Sequence, residues 1–220
     1  NYNVVVGDEA GTAITTGDYT TAIGYAAGLA VTTGRLNTLI GGLTGDALTV
    51  GERNTAVGSV ALGADTQGSR SVAVGNSALA TQNFTSATDA YNTAIGYDAG
   101  KSVTTGTSNT FVGGLAGDAT TTGASNTTLG YNSLGANTTA DNNTALGSFA
   151  LAVNTTGANN TAVGHISLQA NTTGAQNTAV GRNSLAANTT AADGTAVGHS
   201  ALASNTTGAN NTAVGKDALV

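Results

Sequence analysis

One glycine recurs at nearly constant spacing along the whole chain and constrains its fold more than any other feature. It follows a Val, Ile or Leu residue in thirteen copies. Eleven of the twelve spacings between copies are 17 residues, and the step from Gly75 to Gly96 is 21 residues. The consensus repeat reads N-T-A-V-G-x-x-A-L-x-x-N-T-T-G-x-x. A fixed period of this length is typical of solenoid proteins, in which each repeat forms one coil and stacks on its neighbours.

The residues just before the recurring glycine predict a short β-strand. With that glycine as position 0, position −3 is always Thr or Val, position −2 is mostly Ala, and position −1 is always aliphatic. Alternate residues of a strand point to opposite faces, so Thr and the aliphatic residue face one way and Ala and Gly the other. Gly, Thr and Asn are weak helix formers. The N-T-T-G segment is predicted to form a second strand that ends in a glycine turn.

Positions +4 and +7 vary together along the chain. Where +4 is glycine, as at Gly28, position +7 is aliphatic, as at Val31; where +4 is leucine, as at Leu168, position +7 is polar, as at Asn171. Gly117 with Thr120 follows this rule only loosely. Because close-packed interiors tolerate neither voids nor overpacking, we expect one interior slot per coil that either position can fill. The predicted fold is an all-β parallel β-roll, a β-solenoid of thirteen mostly 17-residue coils.

The aliphatic residues at position −1 form a predicted stripe that runs along the solenoid. If Ala and Gly line the narrow interior, this stripe faces outward, and a monomer should not expose so long an apolar patch. Self-association along the stripe is therefore expected. The stripe comprises Val6, Ile23, Ile40, Val57, Val74, Ile95, Val112, Leu129, Leu146, Val163, Val180, Val197 and Val214.

Composition excludes several functional classes. Only 8% of residues are charged and the formal net charge is −6, so no basic patch is present to bind nucleic acid. No apolar run approaches the ~18 residues of a membrane span, so we expect no membrane contact, and no signal peptide is recognisable. Sixteen of the eighteen charged residues fall at positions +1, +2, +5, +11 or +12, which we expect to face solvent. The start within a repeat, without an initiator Met, suggests a fragment of a longer fibrous chain.

The four-residue insertion, within residues 82–91, is the one place where the array 1–220 has individual character. Insertions in solenoids emerge as loops, which can form a binding face. Phe84, Asp89 and Tyr91 are therefore the candidate ligand-contact residues. The alternative is a surface bulge without function, since surface loops accept insertions readily.

Asparagine recurs at position −4 in ten of the thirteen copies. Stacked asparagines can form amide ladders between coils. The alternative is that Asn only begins a turn, where it is also favoured. The sequence alone supports both interpretations.

Other motifs have simpler explanations in the repeat. Residues 96–102 read G-Y-D-A-G-K-S but lack the spacing and the helix of a phosphate-binding loop. G-G-L-x-G-D, which ends at Asp46 and at Asp118, has the wrong period for a calcium-binding roll. His165 and His199 share column +1 and could meet across a symmetric assembly at a metal, but solvated surface histidines are the simpler interpretation. Asn-x-Thr sequons such as Asn137 to Thr139 are by-products of the repeat. We therefore expect no catalytic, cofactor or metal site.

The motif Asn-Thr-Ala-Val-Gly-x-x-Ala-Leu, at residues 160–168 and 211–219, resembles the head repeat of trimeric autotransporter adhesins. It is also similar to repeats of phage tail-fibre proteins. The resemblance implies a left-handed roll, a homotrimer, and attachment to a host-surface receptor or glycan. The expected function is thus a structural or adhesive segment of an extracellular fibre, on a cell surface or virion, and not an enzyme. The alternatives are an inert extracellular filament and an ice-binding solenoid.

Overall fold

A computed structural model of the chain describes residues 2–220. The described residues contain no helix and fifteen short strands, thirteen of which lie directly before a recurring glycine. The strands are β1 (Val4–Val6), β2 (Thr21–Ile23), β3 (Thr38–Ile40), β4 (Thr55–Val57), β5 (Gly68–Ser69), β6 (Val72–Val74), β7 (Thr88–Asp89), β8 (Thr93–Ile95), β9 (Thr110–Val112), β10 (Thr127–Leu129), β11 (Thr144–Leu146), β12 (Thr161–Val163), β13 (Thr178–Val180), β14 (Thr195–Val197) and β15 (Thr212–Val214).

The chain forms two compact units, one ending at Asn109 and the other beginning at Thr110. In the first unit β1, β2, β3, β4, β6 and β8 pair in parallel in that order. In the second unit β9 to β15 pair in parallel in chain order. Each residue pairs with its equivalent in the next repeat, so that Thr161 faces Thr178 across the ladder. The prediction of an all-β parallel β-solenoid of about thirteen coils is confirmed.

The interior of the coils is built from small residues at position −2. Alanines there, such as Ala56 and Ala162, are fully buried, whereas both flanking residues of the same strand are half-buried. This alternation is the one predicted for the T-A-V-G strand. The face that carries Thr and the aliphatic stripe therefore points away from the interior of the coil.

The predicted interior slot is also present. Leu168 and Leu185 at position +4 are fully buried, and so are Val31 and Leu48 at position +7. A Cβ atom added to Gly28 would lie 2.8 Å from Leu39 Cδ1 and 3.4 Å from Val31 Cγ2, which shows that these side chains occupy the same space.

A third position, −2, can also place a large side chain in the slot. The sequence did not predict this contribution. Phe111 at this position is fully buried, and its ring fills the space beside Gly117. This contact explains why Thr120 at position +7 can be small in the same coil. Gly117 and Thr120 thus follow the rule only loosely because the large interior side chain of their coil comes from the strand.

Left-handed turns close every coil. Positions +2 and +4 have positive φ in all coils, for example Ile166 at 54° and Leu168 at 49°. Position 0 needs glycine for a further reason. A Cβ atom on Gly164, whose φ is +134°, would lie 2.6 Å from the carbonyl carbon of Gly181 in the next coil. Stacked backbones approach too closely there for any side chain.

The N-T-T-G segment does not form the predicted strand. It consists of bends, and β5 and β7 are the only strands outside the main ladders of the described residues. The N–H groups of Thr121 and Thr122 both donate to the carbonyl of Thr138, at 2.8 and 3.3 Å, and the Thr121 hydroxyl donates to it as well, at 3.0 Å. These bonds still connect successive coils, but several donors share one carbonyl instead of forming the evenly spaced ladder of a parallel strand pair.

Two columns of buried asparagine connect successive coils. At position −4, Asn54 donates from its amide to the carbonyl of Gly68 at 2.9 Å, and its amide oxygen accepts from the N–H of Ser71 at 2.9 Å. The amide-to-amide ladder lies mainly at position +7, where Asn171 donates to Asn154 at 2.8 Å and Asn188 donates to Asn171 at 2.9 Å. Position −4 therefore mainly bridges backbones, and position +7 carries the stacked amides.

Candidate functional surfaces

The outer face of each ladder carries two parallel rows of side chains. One row is mostly Thr, at position −3, and the other is the aliphatic stripe at position −1. Both rows are half-buried in most strands. Stripe residues are more exposed in some coils, as at Ile95 with 40% and Leu129 with 55%. Because nothing in the coil covers this face, it is a regular surface available for assembly.

The insertion is anchored in the interior by a buried carboxylate. Asp65, fully buried at position +7, accepts hydrogen bonds from the N–H groups of Gly68 at 3.0 Å and Phe84 at 3.1 Å, and from the Gln82 amide at 2.6 Å. Gln82 in turn accepts from the Asn92 amide at 2.8 Å. This network fixes the segment that precedes the four extra residues.

The three candidate ligand-contact residues of the insertion lie in different environments. Phe84 is only 6% exposed, so its ring belongs to the anchor and is not available to a ligand. Asp89 and Tyr91 are exposed, and the Tyr91 hydroxyl donates to Asp89 at 3.3 Å. Arg70 forms an ion pair with Asp89 at 2.8 Å and lies 5.8 Å from the centre of the Tyr91 ring. The insertion thus places an aromatic and charged cluster on the surface.

Tyr91 belongs to a longer column that the sequence analysis did not single out. Position −5, which is the same column as +12, carries large side chains in the first unit. We call these residues the arginine–tyrosine column: Tyr2, Tyr19, Leu36, Arg53, Arg70 and Tyr91. The tyrosines and leucine are 46% to 74% exposed, and the Tyr2 and Tyr19 rings stack with centres 5.2 Å apart. The sequence feature that could have revealed this column is the change at position −5 from large residues in the first unit to small or polar residues in the second.

A groove of about 410 Å³ lies on the first unit and is lined by Thr16, Thr33, Arg35 and Glu52. Arg35 and Glu52 pair across its wall at 3.1 Å. Glu52 also accepts from Arg53 of the arginine–tyrosine column at 2.9 Å, so the groove adjoins that column. Hydroxyls, a carboxylate and guanidinium groups are therefore held together beside exposed aromatic rings.

The second unit carries a mixed aromatic and basic column at positions +1 and +2. The Phe149 ring lies edge-on to both Tyr131, at 5.5 Å, and His165, at 6.5 Å. Further along, Arg182 contacts Nε2 of His199 at 3.2 Å. In residues 2–220 no group of three or more His, Cys, Asp or Glu side chains is arranged to hold a metal ion. His165 and His199 thus lie at the exposed positions expected of solvated surface histidines.

The remaining sequence motifs have structural roles. Lys101 of the phosphate-loop-like segment pairs with Asp98 at 3.0 Å; Asp98 at position +2 is buried, which corrects the expectation that this column always faces solvent. Burial raises the pKa of Asp46. Asn137 is fully buried, so this sequon is inaccessible in the folded chain.

No protein-family model matches the chain, and neither a curated protein nor a solved structure is significantly similar to it. Within the described residues, the structure has no helix that is both long enough and apolar enough to cross a membrane.

Proposed function

We propose that this chain is a structural and adhesive segment of an extracellular fibre, in which left-handed rolls associate as a homotrimer. The observation that carries the proposal is the outward aliphatic stripe. A branched aliphatic residue precedes every recurring glycine, and in most coils it remains half-buried on the open face of the ladder. A uniform apolar stripe of this kind is stabilised by a partner with the same period, and a second copy of the chain has that period.

The composition of the coils supports a role in fibre architecture over catalysis. Interior positions hold alanine, asparagine and one large side chain per coil, and they form stacked ladders and not a deep cavity. We propose that the chain is not an enzyme and needs no cofactor. Its proposed partners are further copies of itself and a host-surface receptor or glycan, with the fibre on a bacterial surface or a virion.

The solution mass tests this proposal directly. We expect light scattering to give three times the chain mass of 21.1 kDa, with short rods in negative-stain images. The trimer should persist at micromolar concentration, because a stripe buried along its length forms a continuous apolar interface. A stable monomer would contradict the fibre proposal.

A second candidate, ice binding, is favoured by the same face. In-register strands repeat at ~4.8 Å and residues two apart on a strand are roughly 6.6 Å apart, so Thr and aliphatic rows form a regular two-dimensional array. The exposed threonines at position +9 form only one row of hydroxyls that could contact ice. Their neighbours at +8, such as Thr155, do not form a second row, because their hydroxyls donate to the next coil. Ice binding requires the array to be free, which self-association would prevent. Measurable thermal hysteresis would support ice binding. A monomer that shows no thermal hysteresis would contradict it.

A further inference from the structure

Position −5 is left-handed in every described coil but holds different residues in the two units. From Tyr19 to Asn210, φ at this position lies between 52° and 63°. The second unit places small or polar residues there: Ser125, Asn142, Asn159, Gln176, Asp193 and Asn210. The first unit places Tyr19, Leu36, Arg53, Arg70 and Tyr91 there, and a small residue only at Ser108. Asn and Asp tolerate the left-handed region, whereas bulky side chains are strained in it.

About half of each large side chain in this column is open to solvent: Tyr19 is 56% exposed, Leu36 46% and Tyr91 55%. Equivalent coils of the second unit fold with small or polar residues at the same φ. Bulky residues also occupy position +2 at positive φ in both units, as Val60 and Ile166 show, so the backbone angle by itself does not mark a site. The column is distinguished by exposed side chains that are mostly aromatic or basic.

The exposed side chains are also held in fixed orientations before any ligand binds. Tyr2 and Tyr19 stack with an angle of 14° between their rings. Arg70 is held by Asp89 and lies over the Tyr91 ring, and Arg53 is held by Glu52. Ordered aromatic and guanidinium groups lose little conformational freedom on binding, which favours recognition.

Formal charge around the column is balanced. Arg35 and Arg53 both pair with Glu52, and Arg70 pairs with Asp89. A third carboxylate, Asp18, shares the repeat position of Arg35 and Glu52. A balanced surface has no long-range attraction for nucleic acid or another polyanion. Its paired charges and the hydroxyls of Thr16 and Thr33 instead offer fixed donors and acceptors to a neutral polar ligand.

We propose that the arginine–tyrosine column and the adjoining groove bind a neutral, linear polysaccharide. The exposed parts of the aromatic rings contact the apolar faces of sugar rings, and the groove hydrogen-bonds the sugar hydroxyls. One side chain per coil gives a spacing of ~4.8 Å, comparable to the length of one sugar residue in an extended chain. The inference rests on the proposed adhesive function, for which it names the ligand class.

A protein partner fits this surface less well. Stable protein interfaces have a broad, desolvated apolar centre surrounded by a polar rim. The column is one side chain wide, and ion pairs such as Arg35–Glu52 lie directly beside it. A narrow column with one large side chain per coil favours an extended ligand that lies along the coils.

The test uses the full chain and three hexasaccharides: cellohexaose, laminarihexaose and chitohexaose. We expect saturable binding of at least one by isothermal titration calorimetry. The triple substitution Tyr19→Asn, Leu36→Asn, Tyr91→Asn should weaken that binding at least tenfold. Its unfolding midpoint should rise, because Asn is the residue that the second unit uses at this φ.

Two control variants separate the column from other effects. Tyr25→Asn with Tyr97→Asn removes exposed tyrosines from column +1 and should leave binding unchanged. Tyr19→Phe with Tyr91→Phe keeps the ring faces and should retain most of the affinity. A loss as large as in the asparagine variant would overturn the stacking mode. Wild-type affinity in the asparagine variant would overturn the location of the site.

Failure of the wild-type chain to bind any of the three glycans overturns the proposed ligand. Light scattering on the same samples keeps this result separate from the proposed fibre. A trimer that binds no glycan contradicts only the ligand. A monomer that binds glycan contradicts only the trimeric assembly.

Discussion

At the scale of single residues, three positions supply the large side chains of the interior; most coils use one of them, whereas the coil of Gly41 uses two, Leu39 and Leu48. Leu168 does so from +4, Val31 from +7 and Phe111 from the strand. Gly at the unused +4 position makes the space available, as the contact geometry of Gly28 and Gly117 shows. The coupling follows from close packing, which disfavours both overpacking and voids.

A double-mutant cycle at Gly117 and Phe111 tests this coupling. Phe111→Ala alone should cost about 3–5 kcal/mol of unfolding free energy because it leaves a cavity. Gly117→Leu alone should cost about 1–3 kcal/mol because the new side chain collides with the Phe111 ring. The double variant should recover most of the loss, since Leu134 occupies +4 of the next coil at a φ of 54°. Additive losses in urea unfolding would contradict a shared slot.

The amide ladder at position +7 gives a second prediction at this scale. Asn171→Ala removes the donor to Asn154 and the acceptor for Asn188, both fully buried, and should cost about 1–3 kcal/mol. Asn205→Ala in the same column is the matched control. Asn205 also donates to Asn188, at 3.2 Å, but it lies at the more exposed end of the column, so its loss should cost less. Equal losses in chemical unfolding would show that burial does not strengthen the amide ladder.

Covariation within the sequence predicted the slot because volume is conserved from coil to coil. The contribution of position −2 was missed because only Leu39 and Phe111 fill the space beside a +4 glycine from the middle of a strand with fully buried large side chains, and Leu39 lies in a coil that already has Leu48 at +7. The arginine–tyrosine column escaped prediction for a different reason. The strain at Tyr19 or Leu36 depends on backbone φ, and the residue type alone does not disclose that angle.

At the scale of elements, the strand before each glycine could be predicted and the N-T-T-G strand could not. Thr161–Val163 alternates half-buried, buried and half-buried, which is the period that its residue types predict. In N-T-T-G, Thr155 has the same propensity for extended backbone, yet its hydroxyl donates to the carbonyl of Thr172 at 3.0 Å. The N–H of Thr155 donates to the same carbonyl at 2.9 Å, so backbone and side chain share one acceptor in the next coil, which strand propensity does not describe.

The insertion provides a prediction at the element scale. Asp65→Ala should leave the buried N–H groups of Gly68 and Phe84 without their acceptor, at a cost of at least about 1–3 kcal/mol of unfolding free energy. Hydrogen exchange of the Phe84 amide should increase accordingly. The control is Asp89→Ala, which removes only an exposed ion pair with Arg70 and should cost about 0–1 kcal/mol. A larger effect at Asp89 than at Asp65 would contradict the anchoring role.

At the scale of the whole molecule, the sequence predicted an apolar stripe, because aliphatic residues occupy one column in all thirteen coils. Such a column lines either the interior or the outer face. The buried alanines of the same strands place it outside. What lies against that face is not encoded within one coil. It depends on a second chain, and the mass in solution reports on that chain directly.

The stripe itself supplies the last prediction. Val163→Thr, Val180→Thr and Val197→Thr together keep β-branched residues on β12, β13 and β14, so the strands should persist by circular dichroism. Three hydroxyls on the apolar stripe should nevertheless destabilise the trimer, because each would be buried at the interface without an assigned partner. We expect the mass from light scattering to fall towards 21.1 kDa. Val153→Thr, which changes an exposed valine outside the stripe, should leave the mass unchanged. If the stripe variant keeps the wild-type mass, the aliphatic rows do not hold the chains together, and a free Thr and aliphatic array would favour the ice-binding alternative.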